Sequence, residues 1–147
     1  MRVLLQRVKW ARVSVGGEVT GTIEHGVVAL VGIGKRDDSD SVRAMVKKVA
    51  HLRIFEDLDE RMNNSLLEVG GGCLVVSQFT LFADCNRGRR PSFGAAGAPE
   101  VAVELCNLFA EEMEAIGVPV GRGRFGAMME VELCNDGPVT LWLDSEA

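Results

Sequence analysis

The unbroken run Gly26-Val27-Val28-Ala29-Leu30-Val31-Gly32-Ile33-Gly34 limits what this chain can fold into more than any other segment. A short run of this kind, with no polar alternation, reads as a strand buried on both faces. It is far too short to cross a bilayer, which takes about 20 apolar residues in a helix. A second run, Cys73 to Phe82, follows the glycines Gly70-Gly71-Gly72 and reads as another buried strand.

Two segments carry helical spacing. Val42, Met45, Val46, Val49 and Leu52 follow three N-cap candidates, Ser39, Asp40 and Ser41. Lys47, Lys48 and His51 fall on the wet side of that helix. A second helix starts at Pro99, a favoured first-turn residue, and stops at Gly117. Val101, Leu105, Leu108, Phe109, Met113 and Ile116 form its core stripe, and Glu104, Glu111, Glu112 and Glu114 face water.

The remaining pattern is strand and turn. Met1 to Trp10 reads as a strand through Val3, Leu5 and Val8. Ala11–Val15 and Glu18–Ile23 form a hairpin about Gly16-Gly17. Met128–Cys134 and Val139–Leu143 alternate, and Asn135-Asp136-Gly137-Pro138 between them has the composition of a hairpin turn. Asp57–Asn64 and Asp84–Gly97 read as polar loops. The order β-β-β-β-α-β-α-β-β is mixed α/β with hairpins at both ends, unlike the strict alternation of a doubly wound sheet. No repeat, low-complexity tract or linker interrupts it, so residues 1–147 are expected to form a single domain with one real core.

Composition removes several function classes. The early charge in Met-Arg-Val-Leu-Leu and the lack of an apolar h-region argue against a signal peptide, so a cytoplasmic protein is expected. Cys73, Cys85, Cys106 and Cys134 include no C-x-x-C pair, and only two histidines exist. Free thiols, no metal and no cofactor are the expectation. The net charge of −5 argues against wrapping nucleic acid without regard to sequence. It leaves open docking of one RNA end at a local cluster: Arg87, Arg89 and Arg90, Arg122 and Arg124, or Lys47 and Lys48. By themselves such clusters read as solvated surface charge.

Standard catalytic patterns are absent. Gly32-Ile33-Gly34-Lys35 lacks phosphate-loop spacing, and Arg36-Asp37 follows where Ser or Thr is needed. A Ser-His-Asp triad would need His25 or His51, one before a turn and one on a helix. Cys73, Cys106 and Cys134 lie in apolar stretches and look like core thiols. Ser77, Gln78 and Thr80 remain, polar residues inside an otherwise apolar strand. They admit two readings: a strand running out of the core with its hydroxyls satisfied by backbone, or a functional cluster.

Several blocks, in order, carry a resemblance. They are Gln6-Arg7-Val8, Leu52-Arg53-Ile54-Phe55, Met62-Asn63, Ser77-Gln78-Phe79-Thr80-Leu81, Arg90-Pro91-Ser92-Phe93, Gly123-Arg124-Phe125-Gly126 and Asn135-Asp136-Gly137-Pro138-Val139-Thr140. Together they span essentially the whole chain and resemble the bacterial-type D-aminoacyl-tRNA deacylases, formerly D-tyrosyl-tRNA deacylases. The resemblance implies a compact single-domain α/β fold, with a mixed, mainly antiparallel, barrel-like sheet and two main helices. It implies hydrolysis of the ester joining a D-amino acid, or glycine mischarged on alanine tRNA, to the tRNA 3′ end. It implies a homodimer with a cis Gly137-Pro138 bond entering the partner's active site, and no membrane.

The resemblance also distributes roles. Ser77, Gln78, Phe79 and Thr80 match the catalytic pocket floor, Gly137 and Pro138 the chiral selector acting in trans, and Arg7 the residue that orients that loop. Phe125, Met129 and Ala102 match the cradle of the terminal adenosine. Whether Thr80 or a tRNA 2′-hydroxyl drives hydrolysis stays open; a Thr without a base is a weak nucleophile, which favours the RNA. Two positions depart from the family pattern: Cys85-Asn86-Arg87-Gly88 where Thr-x-Lys-Gly is frequent, and Met128 where Asp is frequent. Two other readings compete, a non-catalytic module binding the tRNA 3′ end and a hydrolase with a Cys or Ser nucleophile.

Overall fold

The computed structural model describes residues 1–147. The first strand, β1 (Arg2–Val15), is continuous where two strands are expected. Val3 and Leu5 pack in the cluster beneath the helices, whereas Val8, Ala11 and Val13 belong to the second cluster, and the register with the last strand shifts between Gln6 and Val8 and again between Val8 and Ala11. Lys9 and Trp10 face outward at the slip. Then come β2 (Glu18–Ile23), β3 (Gly26–Gly32), α1 (Ser39–His51), β4 (Phe55–Glu56), β5 (Met62–Asn64) and α2 (Leu66–Val69). After these stand β6 (Gly72–Ser77), a 3-10 turn at Phe79–Phe82, α3 (Pro99–Ala115), β7 (Val120–Arg122) and β8 (Glu130–Asp144).

The main sheet runs β2-β1-β3-β6-β7, with β8 on the other edge of β1. The β3–β6 and β6–β7 pairs are parallel and the others antiparallel. The sheet curls until its ends meet, where the Thr20 hydroxyl donates to the Arg122 carbonyl at 3.1 Å.

This curl meets the demand of the two apolar runs. Val27, Ala29 and Val31 of β3 and Cys73 and Val75 of β6 pack against Val42, Met45, Val46 and Val49 of α1 and Leu105, Phe109 and Met113 of α3. The alternate residues Val28, Leu74 and Val76 join Val8, Ala11, Val13 and Ile23 inside the curl. Both faces of β3 and β6 are therefore dry, one under helices and one under the sheet itself.

Several local expectations are corrected. The α1 cap is Asp38, whose carboxylate accepts from the Ser41 amide while the Ser41 hydroxyl accepts from the Asp38 amide. Ser39, Asp40 and Ser41 are equally good caps by composition, but Asp38 is extended where the helix begins. Leu52 is the cap residue at the other end and is only partly buried. On α3 the buried face is Ala102, Leu105, Cys106, Phe109, Ala110 and Met113, so Val101 and Ile116 are exposed. The stretch 57–64 contains β5, paired with β4. The run from Cys73 stops being a strand at Ser77, and β7 is too short to show a period.

The C-terminal hairpin does not exist. Residues 130–144 form one strand that stays on β1 throughout, with Val8 opposite Asn135 and Gln6 opposite Thr140. Asp136, Gly137, Pro138 and Val139 together oppose Arg7 alone. The Asn-Asp-Gly-Pro segment is a wide bulge in a continuing strand.

Candidate active site

The bulge is held from inside and bare outside. Arg7 is buried to 4% exposure. Its Nη1 donates to the Ile54 carbonyl at 2.7 Å, and its Nε donates to the Asp136 carbonyl at 3.2 Å. The Asp136 carboxylate lies 3.4 Å from Nε, and Glu56 approaches Nη2 at 3.9 Å. Because the bulge carries β8 away, the Arg7 carbonyl loses its strand partner; the Asn135 side-chain Nδ2 replaces it at 2.9 Å and also donates to the Val139 carbonyl at 3.1 Å. Thr140 and Gln6 donate to the Asn135 side-chain oxygen. Val139 is buried as an anchor, while Gly137 and Pro138 are exposed. The Gly137-Pro138 peptide bond is cis and Gly137 has φ +124°.

Ser77 ends β6, and Gln78 leaves the strand at φ −147°, ψ 76°. Gln78 N–H still reaches the Val31 carbonyl at 2.8 Å, and its carbonyl accepts from Leu81 at 3.2 Å to open the turn. The Phe79 and Thr80 amides precede that first bond, so neither has an acceptor inside the turn. The Gln78 side-chain Nε2 donates to the Thr80 hydroxyl. Phe79, half-exposed, meets Phe93 edge-on at 4.9 Å. The turn is fastened from below by Arg2, which donates to the Leu81 carbonyl at 2.9 Å, pairs with Asp144 and lies 4.5 Å from the centre of the Phe82 ring.

Ser77 and Phe125 line one recess with Val75, Cys106, Asn107 and Gly123. Met129 borders it, its sulfur close over Gly123. Ala102 lies in the helix–sheet core one turn along α3 from Cys106. The bulge is elsewhere. In strand register Ser77 stands level with Val31 and Arg7 with Val27, about 13 Å apart along the strands. Across the sheet they are separated by the order β6-β3-β1-β8. One chain does not bring Gly137 and Pro138 to Ser77–Thr80.

Other nucleophile–base pairs do not form. Burial pushes the Cys73 and Cys106 thiols up to about 12, which leaves them protonated and inert. All four cysteines are free; Cys85 is exposed and Cys134 half-buried. His25 stands beside Gly26, at the end of β3 remote from Ser77, edge-on to Phe55. His51 ends α1 with Nδ1 2.8 Å from the Lys47 carbonyl. No group of three His, Cys, Asp or Glu side chains is placed to hold a metal ion. No helix is long and apolar enough to cross a membrane.

Sequence reasoning missed Asn135, Asp136 and Arg2 as parts of this architecture. In sequence the first two read as turn residues. Arg2 carries no local signal, since its partners lie on the 3-10 turn and at the end of β8.

A family model described as D-Tyr-tRNA(Tyr) deacylase matches residues 4–144. A D-aminoacyl-tRNA deacylase of Thermomicrobium roseum is 57% identical over 145 residues, covering 99% of this chain and 94% of that one. That of Halalkalibacterium halodurans is 51% identical over 146 residues, covering 99% and 100%. A solved structure titled "c-Myc DNA Unwinding Element Binding Protein" superimposes with TM-score 0.94 at 38% identity over all of both chains. Another, titled "Structural Analysis of a probable eukaryotic D-amino acid tRNA deacylase", shares the fold at TM-score 0.82 and 20% identity over 97% of each chain. With the family model running nearly end to end and more than half the residues identical to full-length relatives, the chain belongs to the D-aminoacyl-tRNA deacylases, a family of hydrolases.

Proposed function

We propose that this deacylase is a chiral proofreading enzyme of the cytoplasm, a single domain whose active sites are shared between two copies of the chain. One observation carries the reading: the bulge opposite Arg7 is clamped by Arg7 and Asn135 yet presents Gly137 and Pro138 to solvent. A stiff exposed backbone has no evident use at its own end of the sheet. In a two-fold dimer the bulge of each copy reaches the Ser77 recess of the other.

The terminal adenosine of tRNA then rests against Phe125 and Met129, with Ala102 in the helix behind. The ester carbonyl lies over Ser77, Gln78, Phe79 and Thr80. The unbonded amides at the start of the turn stabilise the oxyanion that develops as water attacks. Thr80 supports by fixing Gln78. No side-chain base is at hand, so the neighbouring ribose 2′-hydroxyl of the tRNA activates the water. The tetrahedral intermediate expels the 3′ ribose oxygen, which takes up a proton. An aminoacyl ester is reactive enough for positioning and oxyanion stabilisation to suffice.

Selection works by exclusion. The partner's Gly137 and Pro138 carbonyls fill the volume an L side chain needs, and a D side chain points elsewhere. Glycine has nothing to exclude, so glycine mischarged on alanine tRNA is also released. Handedness is read rather than identity, so many D-amino acids are accepted.

The test is deacylation of D-tyrosyl-tRNA and L-tyrosyl-tRNA by the parent and by Gly137→Ala. Loss of the D ester alone, abolished in the variant, is the expected result. Hydrolysis of neither ester by the parent overturns the catalytic reading and leaves a module that only binds the tRNA 3′ end.

A further inference from the structure

We infer that the loop carrying Arg87, Arg89 and Arg90, with Arg124 across the recess, forms a rim that docks the sugar–phosphate backbone of the tRNA acceptor end. This rests on the proposed deacylase reading and adds a binding surface to it.

The charge distribution points there. Six arginines, at positions 2, 7, 12, 36, 43 and 122, are paired with carboxylates. Of the other six, Arg53, Arg61, Arg87, Arg89, Arg90 and Arg124, three stand on the loop between Asp84 and Ser92 and one, Arg124, between Gly123 and Phe125, which line the recess with Ser77. All four are exposed. A chain with net charge −5 repels RNA as a whole, so an RNA end must find a local positive field.

The loops are set in place beside the recess. Asp84 and Ser92 exchange backbone hydrogen bonds at 2.7 and 2.9 Å, closing the arginine loop at its base. Within it the Asp84 carboxylate accepts from Asn86, so the loop's own acid is engaged away from the arginines. Phe93, just beyond the base, touches Phe79 of the catalytic turn. On the other side the Gly123 amide donates to the Val75 carbonyl at 3.0 Å, which fixes Arg124 next to Phe125. A strand end lying in the recess thus passes between two cationic loops. Arginine forks match phosphate oxygens without reading bases, which suits an enzyme that must accept many tRNAs.

The experiment measures binding of deacylated tRNA against salt, for the parent and for the triple variant Arg87→Gln, Arg89→Gln, Arg90→Gln. The double variant Lys47→Gln, Lys48→Gln on α1 serves as a control for loss of positive charge elsewhere on the surface, two charges against three. The expected result is a salt slope shallower by about one for each arginine removed, with affinity at least about tenfold weaker at low salt. The control keeps the parental slope. Hydrolysis of D-tyrosyl-adenosine, which has no phosphates to dock, stays at the parental rate while kcat/KM on D-tyrosyl-tRNA falls. An unchanged slope in the triple variant, or an equal loss in the lysine control, overturns the rim. Binding is read without turnover, so failure of the parent to hydrolyse either ester would strike the deacylase reading and leave the rim testable.

Discussion

Arg7 bonds two separate elements, the Ile54 carbonyl before β4 and the Asp136 carbonyl in the bulge, from a nearly dry position. Arg7→Met strands those acceptors and is expected to cost about 3 kcal/mol in chemical denaturation. Arg7→Lys recovers little, because one ammonium does not span the fork. Gly137 is restricted in another way. A Cβ there would lie 3.0 Å from the Val139 amide and 3.2 Å from Arg7 Nη2, at a φ of +124° that L side chains rarely adopt. Gly137→Ala must shift the bulge, at a cost of about 1–3 kcal/mol, with D-tyrosyl-tRNA hydrolysis lost while circular dichroism stays native. Thr80→Ala is expected to retain substantial activity, since in the proposed mechanism Thr80 steadies Gln78; a loss of several orders of magnitude in a folded variant would make Thr80 the driving group.

Element by element, close approach and capping decide what periodicity leaves open. β3 and β6 start side by side at Gly26 and Gly72, and a Cβ on Gly26 would sit 2.0 Å from the Gly72 carbonyl oxygen. That contact is backbone and cannot swing away. Gly26→Ala should therefore separate the two central strands and yield no soluble native protein, as read by expression and circular dichroism. At α1, Asp38→Ala should lower the thermal midpoint by roughly 2–4 °C. The same change at Asp40, which lies past the cap, should leave it nearly unmoved.

For the whole molecule, the proposed sharing of sites between two copies predicts complementation. Gln78→Ala damages the recess and Gly137→Ala damages the bulge, so each homodimer has two defective sites. Equal mixing and re-association should restore about a quarter of the parental rate, because half the dimers are mixed and each holds one intact site. No recovery, with mixed dimers verified by native mass spectrometry, would mean that both parts serve the same chain.

The residues by themselves determined a good deal. Two apolar runs demanded a sheet dry on both faces and helical spacing placed α1 and α3, local properties written in side-chain period. The ordered blocks carried the resemblance to the family, which the full-length relatives bear out. The three-dimensional structure decided what local pattern does not encode, namely the partner. Two alternating segments around Asn-Asp-Gly-Pro look alike whether they fold back on each other or continue along a third strand. Pairing with β1 on both sides of the segment, more than a hundred residues away in sequence, made it a bulge. The same long-range register put Arg7 under that bulge and set Ser77 and Gly137 at opposite ends of the strands. Strand hydrogen bonds between distant residues carry that information, and a side-chain period of two is blind to which strand supplies them.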